Sequence, residues 1–128
     1  MRDIVNNLGV VPALSPAVQA ATATGLAVDL KDYNSLMFVV NTGAIAGAGD
    51  FTAKVQESDV SGSGYTDAAA ADVIGSSLVS PLTADGTFKI GYVGNKRYAR
   101  LVVTKNSGTS IAAGAVAIKG NARNYPVA

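Results

Sequence analysis

Short runs in which apolar and polar residues alternate, separated by glycine-rich turns, constrain the fold more than any other feature of the chain. Residues 26–30 and 51–58 both alternate in this way, and a period of two residues is typical of half-buried β-strands. Further strand-like runs cover residues 35–42, 87–93, 97–105 and 110–119, whereas residues 68–73 fit either a short helical turn or a strand. We therefore predict an all-β chain, a β-sandwich or jelly-roll-like barrel of about six to eight short strands.

The connections between these runs are predicted from their turn residues. Tyr33-Asn34 is interpreted as a turn, residues 43–50 as a glycine- and alanine-rich loop, and residues 120–128 as a polar tail. The run Leu36-Met37-Phe38-Val39-Val40 differs from the others because it is apolar at every position. A strand of that kind is expected either at the centre of a sheet or against a partner.

The first 17 residues show no strand or helix period, and Pro12 and Pro16 disfavour a helix there. We predict that residues 1–17 form an extended N-terminal arm and that residues 18–128 form a single β-sandwich domain. The alternatives are a disordered terminus and an arm that folds back onto its own domain. The arm is rich in apolar residues for a solvated tail, and six of them are candidate interface residues: Ile4, Val5, Leu8, Val10, Val11 and Leu14.

The composition favours a protein that contacts other proteins. Hydrophobic residues make up 48% of the chain and charged residues only 15%, against roughly a quarter in average domains. Depletion of charge is typical of interface cores, although an ordinary alanine-rich β-domain is the alternative. The net charge of +1 argues against a nucleic-acid partner. No apolar run approaches the roughly 18 residues of a membrane span, and no signal peptide is evident.

The residue types needed for most catalytic and metal sites are scarce. The sequence contains no histidine and no cysteine, which removes the commonest general base and the usual zinc ligands. The nine acidic residues are scattered singly, without the spacing of a calcium loop. We therefore expect no enzymatic activity, no cofactor and no metal.

One basic cluster stands out at the predicted turn of residues 94–96. Lys96, Arg97 and Arg100 lie close together beside Tyr98. Such a cluster is most often a solvated strand end, but it could bind a carboxylate of a partner protein or stack nucleic-acid bases. These three residues complete the set of candidate interface residues.

Several phrases of the sequence resemble small structural proteins of phages and prophages. They are VQESD at 55–59 with Gly62 and Tyr65-Thr66, IGYVGNKRYARL at 90–101, VAIKG at 116–120 with residues 121–127, and residues 30–40. Together these phrases span most of the chain beyond residue 25. The family that they resemble is the capsid decoration, or cement, proteins of tailed phages.

This resemblance implies a β-sandwich or jelly-roll fold and a homo-oligomer, expected here as a trimer or dimer. It also implies that the partner is the major capsid protein, that the protein lies on the outer capsid surface of the virion, and that it reinforces contacts between capsid subunits. Two alternatives remain open. One is a phage tail or head–tail joining component, and the other is a carbohydrate- or surface-binding β-sandwich module. The absence of Trp and the small number of aromatic residues weigh against the second.

Overall fold

The computed structural model describes residues 2–75 and 82–123, most of which lie in antiparallel β-strands. Within these residues, no helix is long and apolar enough to cross a membrane. The strands are β1 Gly9–Gln19, β2 Ala23–Thr24, β3 Val28–Asp29, β4 Tyr33–Ala46, β5 Asp50–Ser58, β6 Thr66–Asp67, β7 Val73–Gly75, β8 Thr87–Tyr92, β9 Tyr98–Ser107 and β10 Ser110–Ala122, with one 3₁₀ turn at Ala70–Asp72.

These strands form two sheets, which we call sheet A and sheet B. Sheet A has the order β1-β10-β4-β8-β7 and sheet B the order β2-β9-β5-β6, with β3 also paired to β9. The two antiparallel sheets form a sandwich, which confirms the predicted all-β fold class. The ambiguous segment 68–73 is resolved as the 3₁₀ turn followed by the short edge strand β7.

The core lies between the sheets and is filled by the inward positions of both. Phe38 and Ile90 from sheet A and Phe51 and Leu101 from sheet B are fully buried within one hydrophobic cluster. Each of these side chains contributes roughly 1.5–3 kcal/mol through removal of apolar surface from water. The alternation predicted on β5 therefore places Phe51, Ala53 and Val55 on the face of sheet B that packs against sheet A.

The segment predicted as an N-terminal arm is extended, but most of it belongs to the domain. Residues 9–17 lie in β1, which pairs with β10 along the edge of sheet A. Leu14 is buried in the core, and the carbonyl of Ala13 accepts a hydrogen bond from the Leu26 amide. The prediction of an arm that leaves the sandwich is therefore wrong for residues 9–17, because burial and backbone pairing hold these residues on their own sheet. Only residues 2–8 precede the sheets.

Three predicted connections are corrected by the pairing of β4 with β10. β4 continues through residues 43–46, and β10 continues through residues 120–122, where a loop and a tail were predicted. The predicted turn at Tyr33-Asn34 is instead the start of β4, and the chain turns at Lys31-Asp32. In each case the long two-strand ladder outweighs the weak β-propensity of Gly, Ala and Asn. Residues 124–128 of the predicted tail lie outside the described residues.

Two tight turns pack against each other at the end of the sandwich where β4 ends and β10 begins. Gly108, between β9 and β10, has φ of +78°, and a Cβ there would lie 2.3 Å from the Ala48 carbonyl oxygen in the β4–β5 turn. Only glycine combines this backbone conformation with such a close approach. This close approach lies beside the pairing of Ala46 with Ser110, at one end of the β4–β10 ladder.

Candidate protein-interaction surface

The outer face of sheet A is apolar, like its inner face. On β4, Leu36, Phe38 and Val40 are buried in the core, whereas Met37 and Val39 point the other way and are half-buried. The apolar run predicted from the sequence therefore occupies the central strand of sheet A. Its outward positions lie on a face that the described residues of the chain leave uncovered.

A row of apolar residues crosses all five strands of this face. The pairing register places Ile74 of β7 beside Gly91 of β8, Gly91 beside Met37 of β4, Met37 beside Ile118 of β10, and Ile118 beside Val10 of β1. Ile74 and Val10 are exposed by 59% and 61%. Because neighbouring strands lie about 4.8 Å apart, the row is roughly 20 Å wide.

The next outward row is apolar on three of its four strands. It contains Lys89 of β8, Val39 of β4, Val116 of β10 and Pro12 of β1. Val116 is 40% exposed. Of the positions in these two rows, Lys89 alone carries a charge, and it lies toward the β8 side of the sheet.

A groove of about 700 Å³ continues from the second row along the same face, between β1 and β4. Small residues of β10 and β4, including Ala112, Gly114 and Gly43, form part of its lining, and no lining residue is charged. The bulge in β1 brings Pro16 over Gly114, where a Cβ would lie 2.9 Å from the Pro16 Cα. Glycine at 114 is therefore required for this part of β1 to form a ridge beside the groove.

The edges of both sheets are poor sites for adding a strand from another molecule. β1, at one edge of sheet A, contains Pro12 and Pro16, which have no amide N–H to donate. The other edge strands, β7, β2 and β6, are each only two or three residues long. Proline and short strands are common protections against edge-to-edge pairing. Contact with other proteins is therefore expected on a sheet face rather than along an edge.

The outer face of sheet B is polar and internally paired. Asp67 of β6 forms an ion pair with Lys54 at 3.1 Å and accepts a hydrogen bond from the Gln56 amide at 3.0 Å. Arg100 donates to Gln56 Oε1 at 2.9 Å and stacks over the Tyr65 ring, 4.0 Å from its centroid. The sandwich therefore has one solvated polar face and one apolar face.

The predicted basic cluster is paired within the chain and is separate from the apolar face. Arg97 makes a bidentate contact with Asp29, with both N–O distances at 2.9 Å, and Lys96 forms an ion pair with Asp59 at 2.9 Å. Arg100 lies on the outer face of sheet B. The three basic residues are thus satisfied by partners in the same chain, which weakens their interpretation as a carboxylate-binding site.

The six apolar candidates of the N-terminal segment have different environments. Val10 lies on the outer face of sheet A, and Ile4 and Val5 are exposed by 56% and 83% in a turn that precedes β1. That turn is closed by the amides of Asn7 and Leu8, which both donate to the Ile4 carbonyl at 3.1 Å. The other three candidates pack on their own domain: Leu8 and Val11 are half-buried and Leu14 is buried. Leu14 is therefore wrong as an interface residue.

The outward residues of β10 were not among the sequence candidates. They are Ala112, Gly114, Val116 and Ile118, and they alternate with the buried series Ile111, Ala113, Ala115 and Ala117. Both series are apolar, which is the same signal that marked residues 36–40. Their alanine and glycine content made the signal weaker than in a run of large apolar residues.

A half-buried acid–phenol pair stabilises the end of the sandwich near the basic turn. The Tyr92 hydroxyl donates to Glu57 Oε2 at 2.6 Å and accepts the Lys96 amide at 3.2 Å. Burial, and secondly the hydrogen bond to Glu57, raise the pKa of Tyr92 above its ordinary range. In residues 2–75 and 82–123, no three acidic side chains converge as a metal site would require. We interpret this pair as a structural tie between β5 and the β8–β9 turn.

The Asp29–Arg97 pair predicts an acid dependence of stability. The hydrogen bond from Arg97 lowers the pKa of Asp29 from 3.8 to about 2. The ionised carboxylate therefore favours the folded state above pH 3.8, and this contribution is lost as the pH falls toward 2. Because the two side chains are 50% and 42% exposed, we expect Asp29→Asn to lower the free energy of unfolding at pH 7 by at most about 1 kcal/mol.

The measurement is urea unfolding of both proteins at pH 7 and at pH 2. The difference in the free energy of unfolding between wild type and Asp29→Asn should shrink at pH 2, where the Asp29 carboxylate is about half protonated in the folded protein and almost fully protonated in the unfolded chain. An equal difference at both pH values would mean that the ion pair is not its source.

Comparisons with known proteins give a structural similarity but no family. Neither the protein-family models nor the curated proteins give a match. Among solved structures, the chain is similar to a chain in "Structure of infectious bursal disease virus Gx strain", with a TM-score of 0.48 and 14% identity. The match covers 93% of this chain and 33% of that chain, so this chain spans about a third of its length. The fold assignment rests on the two sheets themselves. They define a β-sandwich with one polar and one apolar outer face.

Proposed function

We propose that this protein is a structural component of a virus particle, a capsid decoration protein without enzymatic activity. In this role it binds the outside of a tailed-phage capsid and reinforces contacts between major capsid protein subunits. The observation that carries the proposal is the apolar, nearly uncharged outer face of sheet A. Large exposed apolar faces mark interaction sites in soluble proteins, and this one belongs to a domain whose other outer face is solvated.

Two further features support a role in a protein assembly. The phrases at 55–59, 90–101 and 116–120 resemble those of phage decoration proteins, and they lie on β5, on β8 and β9, and on β10, respectively. The turn at residues 2–8 also exposes Ile4 and Val5 outside both sheets, so it is available to contact a shell. Weak contacts of this kind become strong when many copies bind one symmetric lattice.

The proposal predicts that the protein stabilises particles. A protein that binds the assembled shell and not the dissociated subunits favours the assembled state by mass action. Particles of the parent phage that lack this protein should therefore release their DNA at a lower temperature than wild-type particles. Adding the purified protein back should restore the wild-type release temperature. The measurement is DNA release followed with an intercalating dye during heating.

The copy number in purified particles separates the alternatives. Hundreds of copies per particle, measured by quantitative mass spectrometry, support a decoration protein. A handful of copies would favour a tail or head–tail joining component. Equal release temperatures with and without the protein would overturn the reinforcing role.

A further inference from the structure

We propose that the outer face of sheet A is the interface of a two-fold symmetric dimer, in which a second copy of this chain covers it. This inference rests on the proposed assembly role and assigns the apolar face to a second copy, which leaves the exposed turn at residues 2–8 to contact the shell. Its three supports are the area of the face, its lack of charge, and the position of a ridge beside a groove.

The area is sufficient for a specific dimer. With strands about 4.8 Å apart and about 3.3 Å per residue, the outward rows and the groove cover roughly 600 Å². Two copies would then bury roughly 1,200 Å² in total, at the lower end of the range for specific interfaces.

The chemistry of the face favours a second copy over a different, charged partner. Homodimer interfaces are the more apolar class of protein interface. The row of Ile74, Met37, Ile118 and Val10 and the groove residues offer no charge that could orient a charged surface.

The relief of the face suits a two-fold arrangement. The ridge at Pro16 and the groove over Gly43 and Ala112 lie side by side on one surface. A two-fold axis brings the same patch of both subunits together. The ridge of each copy can then enter the groove of the other. A ridge and a groove on opposite sides of the molecule would instead favour a ring.

The test uses a matched pair of valines. Val116 lies on the outer face of sheet A, whereas Val60 is 58% exposed in the connection after β5. We expect the wild-type protein to sediment as a dimer at micromolar concentrations. Val116→Asp should weaken the dimer at least about a hundredfold, because it places an unpaired carboxylate in the interface. Val60→Asp should leave the dimer unchanged. A wild-type monomer, or a Val116→Asp dimer of wild-type affinity, would overturn the proposal.

A second measurement remains informative even if Val116→Asp does not fold. Because the chain has no cysteine, Val116→Cys and Val60→Cys each provide one site for a nitroxide spin label. The distance between the two labels of a dimer should be short for Val116→Cys and long for Val60→Cys. The reverse order would place the interface elsewhere. Both experiments use the protein without particles, so their failure is distinguishable from failure of the particle-stability test.

Discussion

Deletion of residues 2–16 is expected to unfold the protein, because this segment contains most of an integral edge strand. The deletion removes Ala13 and Leu14 from the core and strips the pairing partners from most of one side of β10. Removal of a buried leucine side chain alone costs about 2–5 kcal/mol. The whole domain is expected to be stable by only about 5–15 kcal/mol. The free energy lost with this strand and its backbone pairing is therefore comparable to the whole free energy of unfolding of the domain.

A shorter deletion is the control for this prediction. Deleting residues 2–7 removes the exposed turn with Ile4 and Val5 and leaves β1 complete. That variant should melt within a few degrees of wild type, whereas the longer deletion should show no cooperative transition. Thermal melting followed by circular dichroism checks both. If the longer deletion melts like wild type, β1 is not part of the stable domain.

The same segment shows why the sequence pattern was misleading there. The pairing of β1 with β10 shifts register between Pro12 and Leu14 and again between Leu14 and Ala17. Each shift changes which face the following residues point to. The apolar residues of β1 therefore show no period of two, although the segment is a strand. Alternation identified β5 because its ladder with β9 is regular over residues 51–58.

Pairing between distant segments accounts for the other differences. The ends of β4 and β10 are extended by each other, with Ser110 opposite Ala46 and Ala122 opposite Tyr33. No local signal in a glycine- and alanine-rich stretch predicts such a ladder. Likewise, Arg97 meets Asp29 from 68 residues away. The basic cluster therefore looked unpaired in the sequence although it is paired in the fold.

The candidate surface was predictable in part. The run 36–40 is apolar at every position, and this correctly indicated a central strand with two apolar faces. The contribution of β10 was harder to predict because Ala112 and Gly114 are small residues common in loops. Their importance depends on Pro16 crossing above Gly114, a contact between residues far apart in the chain.

Phe38 and Val39, adjacent on β4, should separate the energetics of folding from those of self-association. Phe38 is fully buried in the core, and Val39 is half-buried on the outer face of sheet A. In the Val116→Asp background we expect the parent protein and its variants to be monomeric. There, Phe38→Ala should lower the free energy of unfolding by about 3–5 kcal/mol. Val39→Ala should lower it by less than about 1.5 kcal/mol, since the side chain is already partly solvated in the monomer.

In the wild-type background, Val39→Ala should affect association more than Phe38→Ala does. Val39→Ala removes apolar contact area from the proposed interface and should weaken the dimer, by about tenfold if the side chain becomes fully buried there. Phe38→Ala, at a temperature where the variant is still folded, should leave the dimer affinity close to wild type because Phe38 does not reach the outer face. Urea unfolding measures the first effect, and sedimentation equilibrium measures the second. If Val39→Ala lowers the free energy of unfolding of the monomer as much as Phe38→Ala does and leaves association unchanged, the outer face of sheet A is part of the folding core and not an interface.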